Sequence, residues 1–266
     1  MPIPHKRLAA QSRAVLTALA HLMREVFEKG APADRVLADY ARNNRHLGSR
    51  DRRCIAEVFY ATARWWGVLK EPAAAIAAGE TAPLPFLQAA LIEGLDIPEM
   101  LAYWNEVTGA SATAPGAVTG ADPLSRLRQI LPGVPDDAEA LCRLLVPDYV
   151  PSLVSAPVPL PVWVGALQIR PPLWLRLRDA AAVERVRREL AEASLTAEPH
   201  PRLPLAWKIT SGRINLHTFP AYREGLVEVQ DISSQAIAHV AAPAAGQSWW
   251  DACAGAGGKA LHLAGF

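Results

Sequence analysis

The residues best suited to chemistry lie together in Asp251-Ala-Cys-Ala-Gly-Ala-Gly-Gly-Lys259. Gly255, Gly257 and Gly258 free the backbone to turn sharply and leave N–H groups exposed. Trp249 and Trp250 precede this cluster, and an apolar-periodic segment through Leu261 and Leu263 follows it. That order predicts a strand over 249–252, a tight turn, and the first turns of a helix. Amides at such a turn suit anionic or polar ligand groups. The candidate cofactor-binding residues are therefore Asp251, Cys253, Ala254, Gly255, Ala256, Gly257, Gly258 and Lys259. Asp251 either caps the turn or meets a ligand amino or ribose group. Lys259 either contacts a carboxylate or phosphate or stands in solvent.

A phosphate-binding P-loop needs Gly, four residues, then Gly-Lys-Ser/Thr. Cys253 and Ala260 occupy the two ends of that frame, so the match fails. Gly255, Gly257 and Ala260 fit the dinucleotide fingerprint Gly-x-Gly-x-x-Gly/Ala. One reading is thus an NAD-type Rossmann oxidoreductase with a helical N-terminal domain; a glycine turn with no ligand is another.

Three cysteines, at 54, 142 and 253, are too few and too scattered for a disulfide framework or a zinc site. No metal site is expected, and a reducing cytoplasm is the default compartment. Cys54 follows Arg53 and Cys142 follows Leu141, contexts that point to packing. A nucleophilic role for any of them would need a thiolate with a depressed pKa or a nearby base. Cys253 sits inside the glycine turn.

Charge is uneven along the chain. Residues 1–70 carry 13 Lys/Arg against 6 Asp/Glu, whereas residues 71–150 carry 3 against 11. A basic lobe of this kind suits a polyanion, although a solvated helical surface carries such charge equally well. Its densest cluster is Arg45, His46, Arg50, Arg52 and Arg53, which makes Arg45, Arg50, Arg52 and Arg53 candidate RNA contacts. Trp65 and Trp66 stand close by as either stacking surfaces or core.

The elements that must position these groups follow from periodicity. Val15, Leu19, Leu22 and Val26 recur at helical spacing, with Gly30 and Pro32 as the stop. A second helix is predicted over 34–42. A third is capped by Ser49 and turns Ile55, Val58, Phe59, Thr62 and Trp66 inward. Others are predicted near 84–93, 98–107 and 136–145. Residues 108–121 read as a loop. Seven prolines between 147 and 172 predict an extended connector and a domain boundary. Beyond it come strands at 173–177, 205–209 and 226–229, a helix over 180–193, and a helix capped by Ser233. No apolar run reaches the about 18 residues of a membrane span.

The motifs in order resemble the RsmB/Nop (Sun-type) family of RNA cytosine-C5 methyltransferases. Asp-x-Cys-Ala-x-x-Gly-Gly-Lys at 251–259 matches its cofactor signature. Phe219-Pro-Ala-Tyr-Arg-Glu-Gly225 with Val229-Gln-Asp-Ile-Ser-Ser-Gln235 resembles its lead-in. Pro171-Pro-Leu-Trp-Leu-Arg176 resembles the segment opening its small RNA-binding subdomain, which adds Arg176 to the RNA candidates. Leu47-Gly-Ser-Arg-Asp-Arg52, Val58-Phe-Tyr60 and Arg64-Trp65 resemble a NusB-like helical domain. One departure is Gly255-Ala256, where the family commonly has Ala-Pro before Gly-Gly-Lys.

The resemblance implies an α+β multidomain chain. Residues 1–150 would be an all-α NusB-like RNA-binding bundle. Residues 151–224 would be a connector with a small α/β RNA-binding subdomain, and 225–266 the start of a Rossmann-like methyltransferase domain. It further implies S-adenosyl-L-methionine as cofactor, RNA (ribosomal RNA first) as partner, and a monomer off the membrane. It also implies that Cys253 lines the ligand site rather than acting as a nucleophile. The family's nucleophile and helper cysteine sit in Thr-Cys and Pro-Cys motifs, and neither dipeptide occurs here. The catalytic residues are therefore expected beyond Phe266, and this 266-residue form is expected to be inactive. An RNA-binding NusB-like module without catalysis is the non-enzyme alternative.

Overall fold

The computed structural model describes residues 5–69, 83–109, 122–154, 157–211 and 216–265. Two compact units divide the chain, Met1–Ile169 and Arg170–Phe266. The first is helical and the second contains a small antiparallel sheet, giving an α+β protein.

In the first unit, α1 (His5–Met23) continues into a π-helical turn, Arg24–Glu28. Then come α2 (Ala33–Asn43), α3 (Ser49–Arg64), α4 (Leu84–Glu93), α5 (Pro98–Thr108), α6 (Pro123–Ile130) and α7 (Ala138–Leu145). Val15, Leu19 and Leu22 form the buried stripe of α1 and meet Ile55, Val58 and Phe59 of α3 in one core. Almost every residue of α4 is buried, as expected of a helix apolar all round. Several polar groups inside this core are paired, whereas Gln88 Oε1 and Gln168 Oε1 are buried without a hydrogen-bond partner. Trp104 Nε1 donates to Ser12 Oγ at 2.8 Å, and Trp65 Nε1 donates to Glu93 Oε1 at 2.7 Å. Glu93 also holds Arg64 at 2.7 Å, both side chains being largely buried.

Three sequence expectations are corrected here. The third helix is capped by the Gly48 backbone, and Ser49 is its first residue. Trp65, rather than Trp66, is fully buried, because α3 stops at Arg64 and the break in the helix at Trp65 shifts the phase of the residues after it. Trp66 instead stacks on Phe27, ring centres 4.1 Å apart. The proline-rich stretch is not simply extended: it holds α8 (Val150–Leu153) and α9 (Leu160–Leu167). Each has proline in its first turn, where no helical N–H partner is lost. Val164 of α9 is fully buried in the helical core. The loop expected at 108–121 lies mostly outside the described residues.

In the second unit, β1 (Trp174–Leu177), β2 (Thr196–His200), β3 (Leu203–Ser211) and β4 (Val227–Val229) pair antiparallel in the order β2-β3-β1-β4. A 3-10 turn, Ala180–Ala182, leads into α10 (Val183–Glu192), whose Val186 and Leu190 cover Leu175, Leu177 and Val227. The alternation of β1 sends Arg176 to the opposite face. A 3-10 turn at Leu216–Thr218 precedes α11 (Pro220–Arg223); α12 (Ile232–Ala241) and α13 (Gly258–Leu263) follow β4. Asp231, not Ser233, caps α12: its carboxylate accepts the Ser233 N–H at 2.8 Å. The strand expected at 249–252 does not form among the described residues. Isolated extended chain has no ladder to satisfy its amides and carbonyls.

Candidate functional site

The glycine turn is shaped by its own side chain and by its neighbours. Asp251 Oδ1 accepts the Cys253 N–H at 3.1 Å, forming an Asx-type turn. Its other oxygen, Oδ2, is buried with no hydrogen-bond partner. An unpaired buried carboxylate oxygen is costly, and so marks a place where a donor fits. Gly255 and Gly257 hold φ of +53° and +84°, a region side chains disfavour. The Gly257 N–H donates to Ala254 O at 2.8 Å, and α13 begins at Gly258. Cys253, Ala254, Gly255 and Ala256 are exposed, whereas Gly257, Gly258 and Lys259 are half-buried.

Beside the turn lies a cleft of about 470 Å³, walled by Trp249, Gln247, Asp251, Ala260 and Leu263 among others. Gln247 Oε1 accepts from the Ala244 N–H at 3.0 Å and from Trp249 Nε1 at 3.2 Å, fixing one wall. Trp250 is 89% exposed.

Sequence reasoning missed the buried support of this region. Arg176 Nε donates to Gln230 Oε1 at 2.7 Å, and its Nη2 meets Glu228 Oε2 at 2.7 Å. Gln235 Nε2 donates to the Gln230 carbonyl at 2.8 Å. A side-chain carbon on Gly258 would stand 3.7 Å from Gln230 Nε2. Gln230, bonded to Arg176 of β1, therefore lies beside the start of α13. Its signal was the Val229-Gln-Asp segment. Nearby, His239 and His262 meet edge to face at 5.6 Å. Burial, then the charges of Arg176 and His239, pushes His262 down to about 4.

The basic candidates fall into two settings. Arg45, Arg50, Arg52 and Arg53 are exposed on and before α3. Arg50 pairs with Glu99 at 3.0 Å, and Arg52 Nη2 donates to the Arg45 carbonyl at 3.3 Å. Arg176, in contrast, is buried, with its guanidinium engaged by Gln230 and Glu228.

The thiols differ as sharply. Cys54 and Cys142 are buried and Cys253 is exposed. Burial first, then Glu57 and Asp51, pushes the Cys54 thiol up to about 12. Burial, with Glu139 and Asp137, also raises Cys142. No group of three His, Cys, Asp or Glu among the described residues is arranged to hold a metal ion. None of their helices is long and apolar enough to cross a membrane.

No family model matches the chain. The ribosomal RNA small subunit methyltransferase B of Cronobacter sakazakii is 35% identical to it over 101 residues, 38% of this chain and 23% of that protein. Proteins of the same name from Citrobacter koseri and Salmonella paratyphi C are 36% and 37% identical over 101 residues, with the same shares. The aligned stretch thus spans under a quarter of these curated relatives. The crystal structure of PH0851 superimposes with a TM-score of 0.57 at 22% identity, covering 100% of this chain and 61% of that one. That likeness is one of fold. Over the aligned residues the chain is similar to the ribosomal RNA small subunit methyltransferase B proteins.

Proposed function

We propose that this chain forms the RNA-docking and first cofactor-loop part of an S-adenosylmethionine-dependent RNA cytosine-C5 methyltransferase acting on ribosomal RNA. In this reading the helical unit is NusB-like and docks RNA, and residues 225–266 open a Rossmann-like methyltransferase domain. The observation that carries it is the Asp251–Lys259 turn, which combines a family-type sequence with an unpartnered carboxylate oxygen beside a cleft.

The residues present fit the cofactor. S-adenosylmethionine carries an ammonium and ribose hydroxyls, which are donors, and the buried Asp251 Oδ2 is an acceptor without one. When bound, the cofactor supplies an electrophilic sulfonium methyl group. Asp251 would hold its donors, while Gly255 and Gly257 leave the turn's backbone open to close approach. Gln230, held by Arg176, stands beside Gly258 of the turn. Lys259, with no ion pair of its own among the described residues, would face a carboxylate or phosphate.

Cytosine C5 becomes nucleophilic only after a thiolate adds to C6, so the reaction needs a thiol that ionises near neutral pH. Cys54 and Cys142 are held as neutral thiols by burial. Cys253 lies in the cofactor turn, suited to lining that site rather than to facing the base. This 266-residue chain is therefore assigned docking and cofactor holding without methyl transfer. Equilibrium dialysis with labelled S-adenosylmethionine tests the reading. Saturable binding is expected, weakened at least tenfold in Asp251→Asn, with no methyl incorporation into ribosomal RNA by the chain alone. Absence of binding, or stronger retention of NAD, would contradict it.

A further inference from the structure

We propose that the groove between α2 and α3 is a pocket for one unstacked RNA base, preferring bases that carry an amino group over uracil. This inference rests on the RNA-docking reading and gives it a specific contact. The groove encloses about 300 Å³. That lies at the lower end of the roughly 300–1,000 Å³ range of small-ligand sites, suited to a single flat ring system. Leu37, Leu47 and Ile55 form its apolar floor, and Tyr40 and Tyr60 supply aromatic surface. Tyr60 is 37% exposed, so its ring is open to a stacking partner.

The charge of the segments that form the groove selects the partner. Residues 34–53 include Arg35, Arg42, Arg45, Arg50, Arg52 and Arg53 against Asp34, Asp39 and Asp51. Each of those carboxylates is engaged: Asp39 by Arg42, Asp51 by Gln11 at 2.5 Å, and Asp34 by the Tyr60 hydroxyl at 2.5 Å. Arg35, Arg45, Arg52 and Arg53 take part in no ion pair among the described residues. Arg52 itself lines the groove and is tied to the Arg45 carbonyl. An aromatic slot with the unneutralised Arg52 guanidinium in its wall, on a segment rich in arginine, suits a base with its phosphate outside. An apolar peptide would leave those charges without partners.

Base preference follows from Asp34. One carboxylate oxygen accepts the Tyr60 hydroxyl, leaving the other as an acceptor on the groove wall. Acceptors of this kind suit the exocyclic amino groups of cytosine, adenine or guanine. Uracil offers carbonyl oxygens at that edge instead.

The test uses the full chain, short single-stranded RNAs and fluorescence anisotropy. Ala38→Trp, which fills the groove, is expected to lower affinity about tenfold, the loss of one base stack, with the salt slope unchanged. Arg52→Ala should lower the logarithmic salt slope by about 0.7. Oligo-cytidine should bind more tightly than oligo-uridine, and Asp34→Asn should narrow that gap. Ultraviolet crosslinking of 5-iodocytidine RNA to the unaltered chain should label Tyr60 or Tyr40, whether or not the variant folds. Unchanged affinity on filling the groove, or crosslinks only elsewhere, overturns the pocket while leaving RNA docking standing. No RNA binding at all removes both, and a peptide-selective groove overturns the pocket in favour of a protein partner. Labelled S-adenosylmethionine binding, read in parallel, reports the separate cofactor turn.

Discussion

Replacing Arg176 with methionine separates a structural role from an RNA contact. The side chain is 8% exposed and makes two charge-assisted hydrogen bonds. The buried bond to Gln230 is worth about 1.5–3 kcal/mol, since losing it strands the amide oxygen. Glu228 is 36% exposed, so solvent reduces that pair to about 0.5–1 kcal/mol. Methionine fills much of the aliphatic volume and lifts the cost of burying a guanidinium, which offsets part of the loss. The net destabilisation of the second unit is therefore about 2 kcal/mol. Hydrogen exchange at the β1 and β4 amides reads that unit directly. Their protection should fall about thirtyfold, the population change expected for such a loss. The RNA salt slope, measured under conditions where the variant stays folded, should not change. Undiminished protection together with a slope lower by about 0.7 would show that Arg176 grips phosphate instead.

Three further outcomes follow. Glu93→Ala removes the partner of both Arg64 and Trp65 in a largely buried site, and should cost about 3–5 kcal/mol in denaturant unfolding. Gly257→Ala places a side chain at φ +84°, so about 1–2 kcal/mol of local stability and most cofactor affinity should be lost, as thermal shift with and without S-adenosylmethionine would show. His262 is held at about 4, against 6.5 for the ordinary group. Above pH 6.5 the imidazole is neutral in both folded and unfolded chains. As pH falls from about 6.5 to 4, only the unfolded chain gains the proton, so stability is lost across that window. Acid denaturation of His262→Phe should show a shallower loss there.

Much of the helical unit was legible because its punctuation is strong. Pro98 with Gly94 and Gly109 brackets α4 and α5, and both glycines adopt positive φ at the helix ends. The phase of Trp65 and Trp66 was not legible, since extending the α3 repeat past Arg64 ignores the break that turns Trp65 inward. Proline read as a helix breaker hid α8 and α9, where it occupies the first turn. β2 escaped notice because Thr196-Ala-Glu-Pro-His200 is a mostly exposed edge strand containing proline. At the site, the glycine turn and the helix after it were readable from spacing. The Arg176–Gln230–Gln235 support was not, because its anchoring bond joins residues 54 apart through strand pairing, and only then does the local Gln235 bond, five residues on, complete it.

In the proposed function, the Asp251–Lys259 turn holds a sulfonium methyl donor. Isotope-labelled glycine amide resonances of the full chain, followed during titration with S-adenosylmethionine and with NAD, test it most directly. Saturable shifts at Gly255, Gly257 and Gly258 with the first ligand alone are predicted. Resonances that stay still with S-adenosylmethionine, or move equally with NAD, would contradict the claim.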